Sequence, residues 1–204
     1  MTVAPPSRGR LRPAKPHPRV YAFDDSPFTF SDRSTPVVGV IVTLPGYVEG
    51  VVRGAVTVDG TDATDVLIAL VRASPHREAT QAILLDGITF GGFNVVDMDR
   101  LHDATRLPVI TVTRRRPDLA AMETAMGRHL PAGKETALLL RAHPLFSYPC
   151  KPQPLWVSCV GAPEADARAL LKKSFVRGSF PEPLRLAHLF ASAIPGGPVS
   201  RSRA

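Results

Sequence analysis

A chain of 204 residues, 44% hydrophobic and 21% charged, fits one soluble globular domain with tails and is long enough to bury a sizeable core. No apolar run reaches the roughly 18 residues of a membrane span, the opening lacks the apolar stretch of a secretory signal, and two cysteines exclude a disulfide framework or a zinc set, so a cytoplasmic protein is expected. The formal net charge of +7 favours polyanionic partners such as nucleic acid.

Residues 1–19 carry Arg8, Arg10, Arg12, Lys15 and Arg19 among prolines with no acid, a segment that cannot fold alone. It reads as a disordered basic arm, either solvated or adding nonspecific phosphate affinity. "RVYAFDD" reads as a strand ending at Asp24 and Asp25, "TPVVGVIVTLPG" as a second strand and "YVEGVVRGAVTVDG" as a third. From Thr61 the period changes: "DATDVLIALVRA" is helical, "QAILLDG" a continuous apolar strand, "NVVDMDRLHDAT" helical and "LPVITVTR" another buried strand. Helical patterns follow at "PDLAAMETAMGRHL" and "KETALLLRAH", then a strand at "PLWVSCV", helices at "PEADARALLKKSF" and "PLRLAHLFASA", and a loose tail over 195–204. An antiparallel three-strand meander followed by parallel αβ units is the layout of a ribonuclease H-like α/β fold, here spanning residues 20–194.

In that layout the first strand lies beside the fourth, so Asp24 and Asp86 become neighbours. An Asp at a strand end commonly caps a turn, but here three glycines, Gly87, Gly91 and Gly92, share the adjoining loop. A further carboxylate is available at the opening of the first helix, from Asp59, Asp62 or Asp65, although Asp62 also suits an N-cap. Carboxylates crowded together repel unless a cation joins them, which implies Mg²⁺ or Mn²⁺ held by oxygen ligands. The glycines would then let backbone or substrate approach Asp86.

Several motifs carry no chemistry. "GRHLPAGKE" fails the phosphate-loop spacing, Cys150 and Cys159 read as structural thiols, and His102 and His188 sit in helical patterns as surface or core residues. Arg114, Arg115 and Arg116 follow a parallel strand at the site edge, where they are either solvated or contact phosphate.

The stretch "LLDGITFGGFNVVDMDRLHDATRLPVITVTRRRPDL", with "FDDSPF", "VEGVVRGAVTVDGTDAT" and "GSFPEPLRLAHLFASAI", resembles the endonuclease dU family, which is related to endonuclease V. The resemblance covers most of Tyr21 to Ile194. It implies a Mg²⁺- or Mn²⁺-dependent DNA endonuclease of repair, cutting at deaminated bases such as deoxyuridine. By the resemblance Asp24, Asp62 and Asp86 are the metal ligands, with Asp25 and Asp59 as second choices, and Arg114 takes the place of a catalytic lysine. Arg114, Arg115, Arg116, Gly91, Gly92 and Asn94 are the expected nucleic-acid contacts. The chain departs from endonuclease V in four ways: its helix acid is Asp rather than Glu, Arg114 stands in place of its lysine, no His stands near Val160 and Gly161, and no tyrosine-containing wedge occurs in "EGVVRGAV". A catalytically silent nucleic-acid-binding relative is therefore the alternative reading.

Overall fold

The computed structural model describes Leu11, residues 16–130 and residues 133–194. The expectations for residues 1–10, 12–15 and 195–204 lie outside the described residues. In chain order the elements are β1 (Arg19–Asp25), β2 (Ser34–Thr43), β3 (Tyr47–Thr57), α1 (Ala63–Ala73), β4 (Thr80–Asp86), β5 (Thr89–Phe90), β6 (Asn94–Val95) and α2 (Met98–Thr105). There follow β7 (Val109–Thr113), α3 (Leu119–His129), α4 (Gly133–Arg141), β8 (Phe146–Tyr148), β9 (Leu155–Val160), α5 (Glu164–Lys173) and α6 (Glu182–Ser192).

Seven strands form one mixed sheet in the order β3-β2-β1-β4-β7-β9-β8, with β5 and β6 as a separate small hairpin. The meander β3-β2-β1 is antiparallel, and β1, β4 and β7 run parallel. The central strands are apolar throughout because helices cover both sheet faces. Val20 and Ala22 of β1 and Leu84 of β4 enter one core with α5 and α6, through residues such as Leu170, Leu171, Leu184 and Ala187. Their neighbours Tyr21, Phe23, Ile83 and Leu85 enter the other core, against Leu67 and Val71 of α1 and Leu101 of α2. Each fully buried Leu, Ile or Phe here contributes about 1.5–3 kcal/mol relative to exposure. Gly39 on β2 leaves the space that Phe23 fills, since a Cβ there would lie 2.2 Å from the Phe23 ring.

The observed register decides what the strand ends bring together. Phe23 pairs with Leu85 across the parallel β1-β4 ladder, which carries Asp24 and Asp86 side by side off the same edge. Asp86 in turn pairs with Val112 of β7, so Arg114 leaves the sheet next to it.

Three features differ from the sequence reading. β9 pairs antiparallel with β7, and the short β8 adds a further antiparallel edge, so the parallel portion stops at β7. The helix expected to open "NVVDMDRLHDAT" starts later, at Met98, because Asp97 caps it by accepting from Arg100 N at 2.9 Å while Asn94–Val95 form β6. Leu11, inside the stretch read as a disordered basic arm, is only 3% exposed in the core shared by β1 and α6. Among the described residues no helix is long and apolar enough to cross a membrane.

Candidate active site

The aspartates near the C-terminal edge of β1 and β4 separate by what their oxygens are doing. Asp97 and Asp118 cap α2 and α3 through backbone N–H groups. Asp59, held at φ 53°, accepts from Phe93 N at 2.9 Å. Asp25 accepts from Gly91 N at 2.8 Å. Asp62 accepts from Thr57 N and Thr57 Oγ1, the latter at 2.8 Å, and from Asn94 Nδ2 at 2.6 Å. Asp86 stands apart. Its side chain is 18% exposed, and among the described residues its recorded partner is the Arg114 guanidinium at 3.8 Å, too long for a hydrogen bond. A carboxylate spent on turn chemistry would accept a backbone N–H; Asp86 accepts none among the described residues.

That isolation has an electrostatic consequence. Burial pushes the Asp86 carboxyl up from 3.8 to about 7; the negative charge of Asp24 adds to the rise, while Arg114 and His188 oppose it. Asp25 is likewise pushed up to about 6, first by burial, with the Gly91 N–H opposing and the Asp24 charge adding. Two neighbouring buried carboxylates that resist joint ionisation are arranged for a cation or a proton.

α6 closes the site from above. Ser26 Oγ donates to Ala191 O at 2.7 Å and fixes the end of this helix over the exit of β1. His188 then reaches Asp24, with Nδ1 2.8 Å from Oδ2. Because a carboxylate can only accept, Nδ1 carries the proton in this contact, and Nε2 is left for another partner. The hydrogen bond to Asp24 raises the His188 pKa, against the effect of burial, with the charges of Asp24 and Asp86 adding to the rise. Arg114 lies with its guanidinium 3.7 Å from the centre of the Phe180 ring, which positions it beside Asp86. Arg116 lies 4.9 Å from the centre of the Trp156 ring. Arg115 is exposed, and its carbonyl accepts from Thr113 Oγ1 at 2.9 Å.

Next to Asp86, a cavity of about 100 Å³ lined by Gly87, Ile88, Thr113, Leu139 and Ser158 is partly open to solvent. Ser158 Oγ is buried there without a hydrogen-bond partner among the described residues.

The three-acid arrangement is not the one observed. Asp24 and Asp86 come together, but Asp62 is committed to Thr57 and Asn94; burial pushes its pKa up, and these hydrogen bonds outweigh that and hold it low. Among the described residues no group of three or more His, Cys, Asp or Glu side chains is placed to hold a metal ion. The second choices, Asp25 and Asp59, are occupied by Gly91 N and Phe93 N. The donor set still suits Mg²⁺, which commonly keeps several waters and takes one or two carboxylates from the protein.

Asn94 is not available to nucleic acid. It is fully buried, its Oδ1 accepts from Ala63 N at 2.9 Å and its Nδ2 donates to Thr57 O and Asp62, so it caps α1 from a distance of 31 residues along the chain. The glycines also serve another neighbour than expected. Gly91 supplies its N–H to Asp25, and a Cβ on Gly92 would lie 2.3 Å from Asp59 Oδ1; Gly87, at φ 85°, is the one beside Asp86. Conversely, His188 enters the site although it reads as an ordinary helix residue. Its signal was spacing: Leu184, Ala187 and Ala191 are buried, and His188 completes their i, i+3, i+4, i+7 face.

The mixed sheet and its covering helices have counterparts among solved structures. Over 87% of this chain, the structure matches endonuclease V of Ciona intestinalis, in a complex with DNA containing an inosine followed by a ribo-adenosine, at a TM-score of 0.57, 14% identity and 86% coverage of that chain. Human endonuclease V matches at 0.56 and 18% identity, covering 87% of this chain and 84% of that one. The fold is therefore a mixed α/β fold similar to that of endonuclease V. A crystal structure from Archaeoglobus fulgidus, of a protein of unknown function, matches at 0.79 with 38% identity over 88% of this chain and 99% of that one. A UPF0215 protein of Thermococcus kodakarensis is 42% identical over 195 residues, 94% of this chain and 99% of its own length. Residues 16–195 match the endonuclease dU family, and the chain belongs to it.

Proposed function

We propose that this protein is a metal-dependent DNA endonuclease with a ribonuclease H-like arrangement, acting in repair at deaminated bases such as deoxyuridine. The observation that carries this reading is the Asp24–Asp86 pair on adjacent strand ends, Asp24 buried and Asp86 partly so, with Asp86 capping no turn among the described residues and flanked by His188 and Arg114. Asp24 and Asp86 would hold a Mg²⁺ or Mn²⁺ ion, which when bound supplies water activation and charge stabilisation at a scissile phosphate. The chain's own groups have complementary parts. Asp24 orients His188 through Nδ1–H, leaving Nε2 to deliver or hold a proton at an oxygen of the phosphodiester. Arg114, positioned against Phe180, offers fixed positive charge to the phosphate and cannot serve as a proton donor. Arg115 and Arg116 extend that charge outward for backbone contacts.

The family name and the endonuclease V likeness support the nuclease class, and the DNA in the Ciona complex supports DNA as the polymer. One observation favours the catalytically silent alternative: Asp62 does not join the pair. A cleavage panel separates the two. Oligonucleotides carrying uracil, hypoxanthine, a mismatch or ribonucleotides are incubated with and without Mg²⁺. Mg²⁺-dependent incision of the uracil substrate supports the proposal, and binding without incision of any substrate refutes it.

A further inference from the structure

The loop that leaves the acid pair, residues 26–33, carries an aromatic residue that the fold does not use. Phe30 is 77% exposed at its tip. The loop is nevertheless tightly built. At its base Ser26 N donates to Pro36 O, Thr35 Oγ1 to Ser26 O and Val58 N to Arg33 O, at 2.8, 2.9 and 3.1 Å. At its tip Asp32 N donates to Thr29 O at 3.0 Å, closing a β-turn around Phe30, and Thr29 N donates to Asp32 Oδ2 at 2.7 Å across it. Phe28 packs edge-on against Phe30, with ring centroids 5.7 Å apart and planes at 82°. Gly92 also lies close, since a Cβ there would come 3.6 Å from Phe30 Cε1. Gly91, next to it, is bonded to Asp25. Phe30 is thus connected to the acid pair through Asp25 and the two glycines, and most of its surface is left to solvent.

We propose that Phe30 is a base-stacking platform, on which an unpaired nucleobase flanking the cleaved position is laid during binding. This deepens the nuclease reading and rests on it. A nucleobase is the occupant that the surroundings select. The chain as a whole is basic at +7, which draws a nucleic acid strand to it, whereas the carboxylates around this tip are Asp32 and Asp59. Those acids disfavour a phosphate at the tip and leave a planar π-surface as its remaining means of recognition. Stacking on such a surface tolerates any base and requires the base to be unpaired. A second copy of this chain would be a poorer occupant, since copies carrying the same net charge repel.

The test uses the full chain and a single-stranded oligonucleotide containing 2-aminopurine, titrated in EDTA so that no cleavage occurs. Wild type is expected to bind and quench the 2-aminopurine. Phe30→Ala and Phe30→Leu should both weaken binding about 5- to 150-fold and lose the quench, the fold-change that follows from about 1–3 kcal/mol of stacking per base. Phe30→Trp should retain both. Leu keeps the apolar character and lacks the π-face, so binding by Phe30→Leu equal to wild type overturns the inference. Sedimentation of wild type and Phe30→Ala adds a second refutation: an altered oligomeric state with unchanged oligonucleotide affinity assigns the surface to self-association. A wild type that binds no oligonucleotide overturns the nuclease reading together with this one. Unchanged affinity in Phe30→Ala, beside a wild type that binds, overturns this one alone.

Discussion

Asp86→Asn keeps the shape of the side chain and removes its charge. A carboxyl whose pKa rises from 3.8 in the unfolded chain to about 7 in the folded one makes its own ionisation cost up to about 4 kcal/mol of stability. The sign follows from the proton count. Below about pH 4 the group is protonated in both states and nothing is lost; between about pH 4 and 7 the folded state holds the proton that the unfolded state has released, so stability falls as pH rises; above about pH 7 the full cost is present. Asparagine removes this cost, and burying its unpartnered amide takes back about 1–3 kcal/mol. The net expectation at pH 8 in chelator is a variant more stable than wild type by about 1–3 kcal/mol, or roughly 2–12 °C in Tm for a chain of this size. Near pH 4 the variant loses that advantage. Thermal unfolding at both pH values measures this, and single-turnover cleavage with Mg²⁺ should collapse in the same variant. An Asn variant that is less stable than wild type at pH 8 and still cleaves would refute the reasoning and return Asp86 to turn chemistry.

Three other expectations follow from the same geometry. Arg114→Ala should slow single-turnover cleavage about 10²-fold at saturating DNA, since its charge faces the proposed phosphate; a change in affinity alone would make it a docking contact. His188→Gln should lower the single-turnover rate and abolish the limb of the pH–rate profile that belongs to the imidazole, with affinity for DNA in EDTA retained; an unchanged profile removes His188 from proton transfer. Asn94→Ala leaves Ala63 N and the Asp62 carboxylate short of partners and should cost about 2–4 kcal/mol in denaturant unfolding; unchanged stability with weakened DNA binding would restore it as a nucleic-acid contact.

The parts of this site that the chain discloses are those set by periodicity. Continuous apolar runs ending in "FDD" and "LLDG" place β1 and β4 in the sheet centre, and the meander before α1 makes them neighbours, so Asp24 and Asp86 were legible as a pair. An apolar run carries no direction, however, and the antiparallel entry of β9 follows from the tertiary path through α3, α4 and β8 rather than from "LWVSCV". Roles that depend on partners distant in sequence were not legible. Asp62 looks like a ligand or an N-cap by local chemistry, and only the approach of Asn94, 32 residues on, commits it to a buried hydrogen-bond network. His188 reads as a surface or core residue of a helical pattern, because its partner lies 164 residues away on β1. Asp86 and Asp97 are equally good capping residues in isolation; what distinguishes them is that a backbone N–H comes to one and none to the other.

The central claim is that Asp24 and Asp86, without Asp62, form the cation-binding centre. Titration of Mn²⁺ into the protein, followed by electron paramagnetic resonance, tests it most directly. The account predicts one site in wild type, lost in Asp24→Asn and in Asp86→Asn, and retained in Asp62→Asn. Absence of a site in wild type, or its loss in Asp62→Asn with retention in Asp86→Asn, would contradict it.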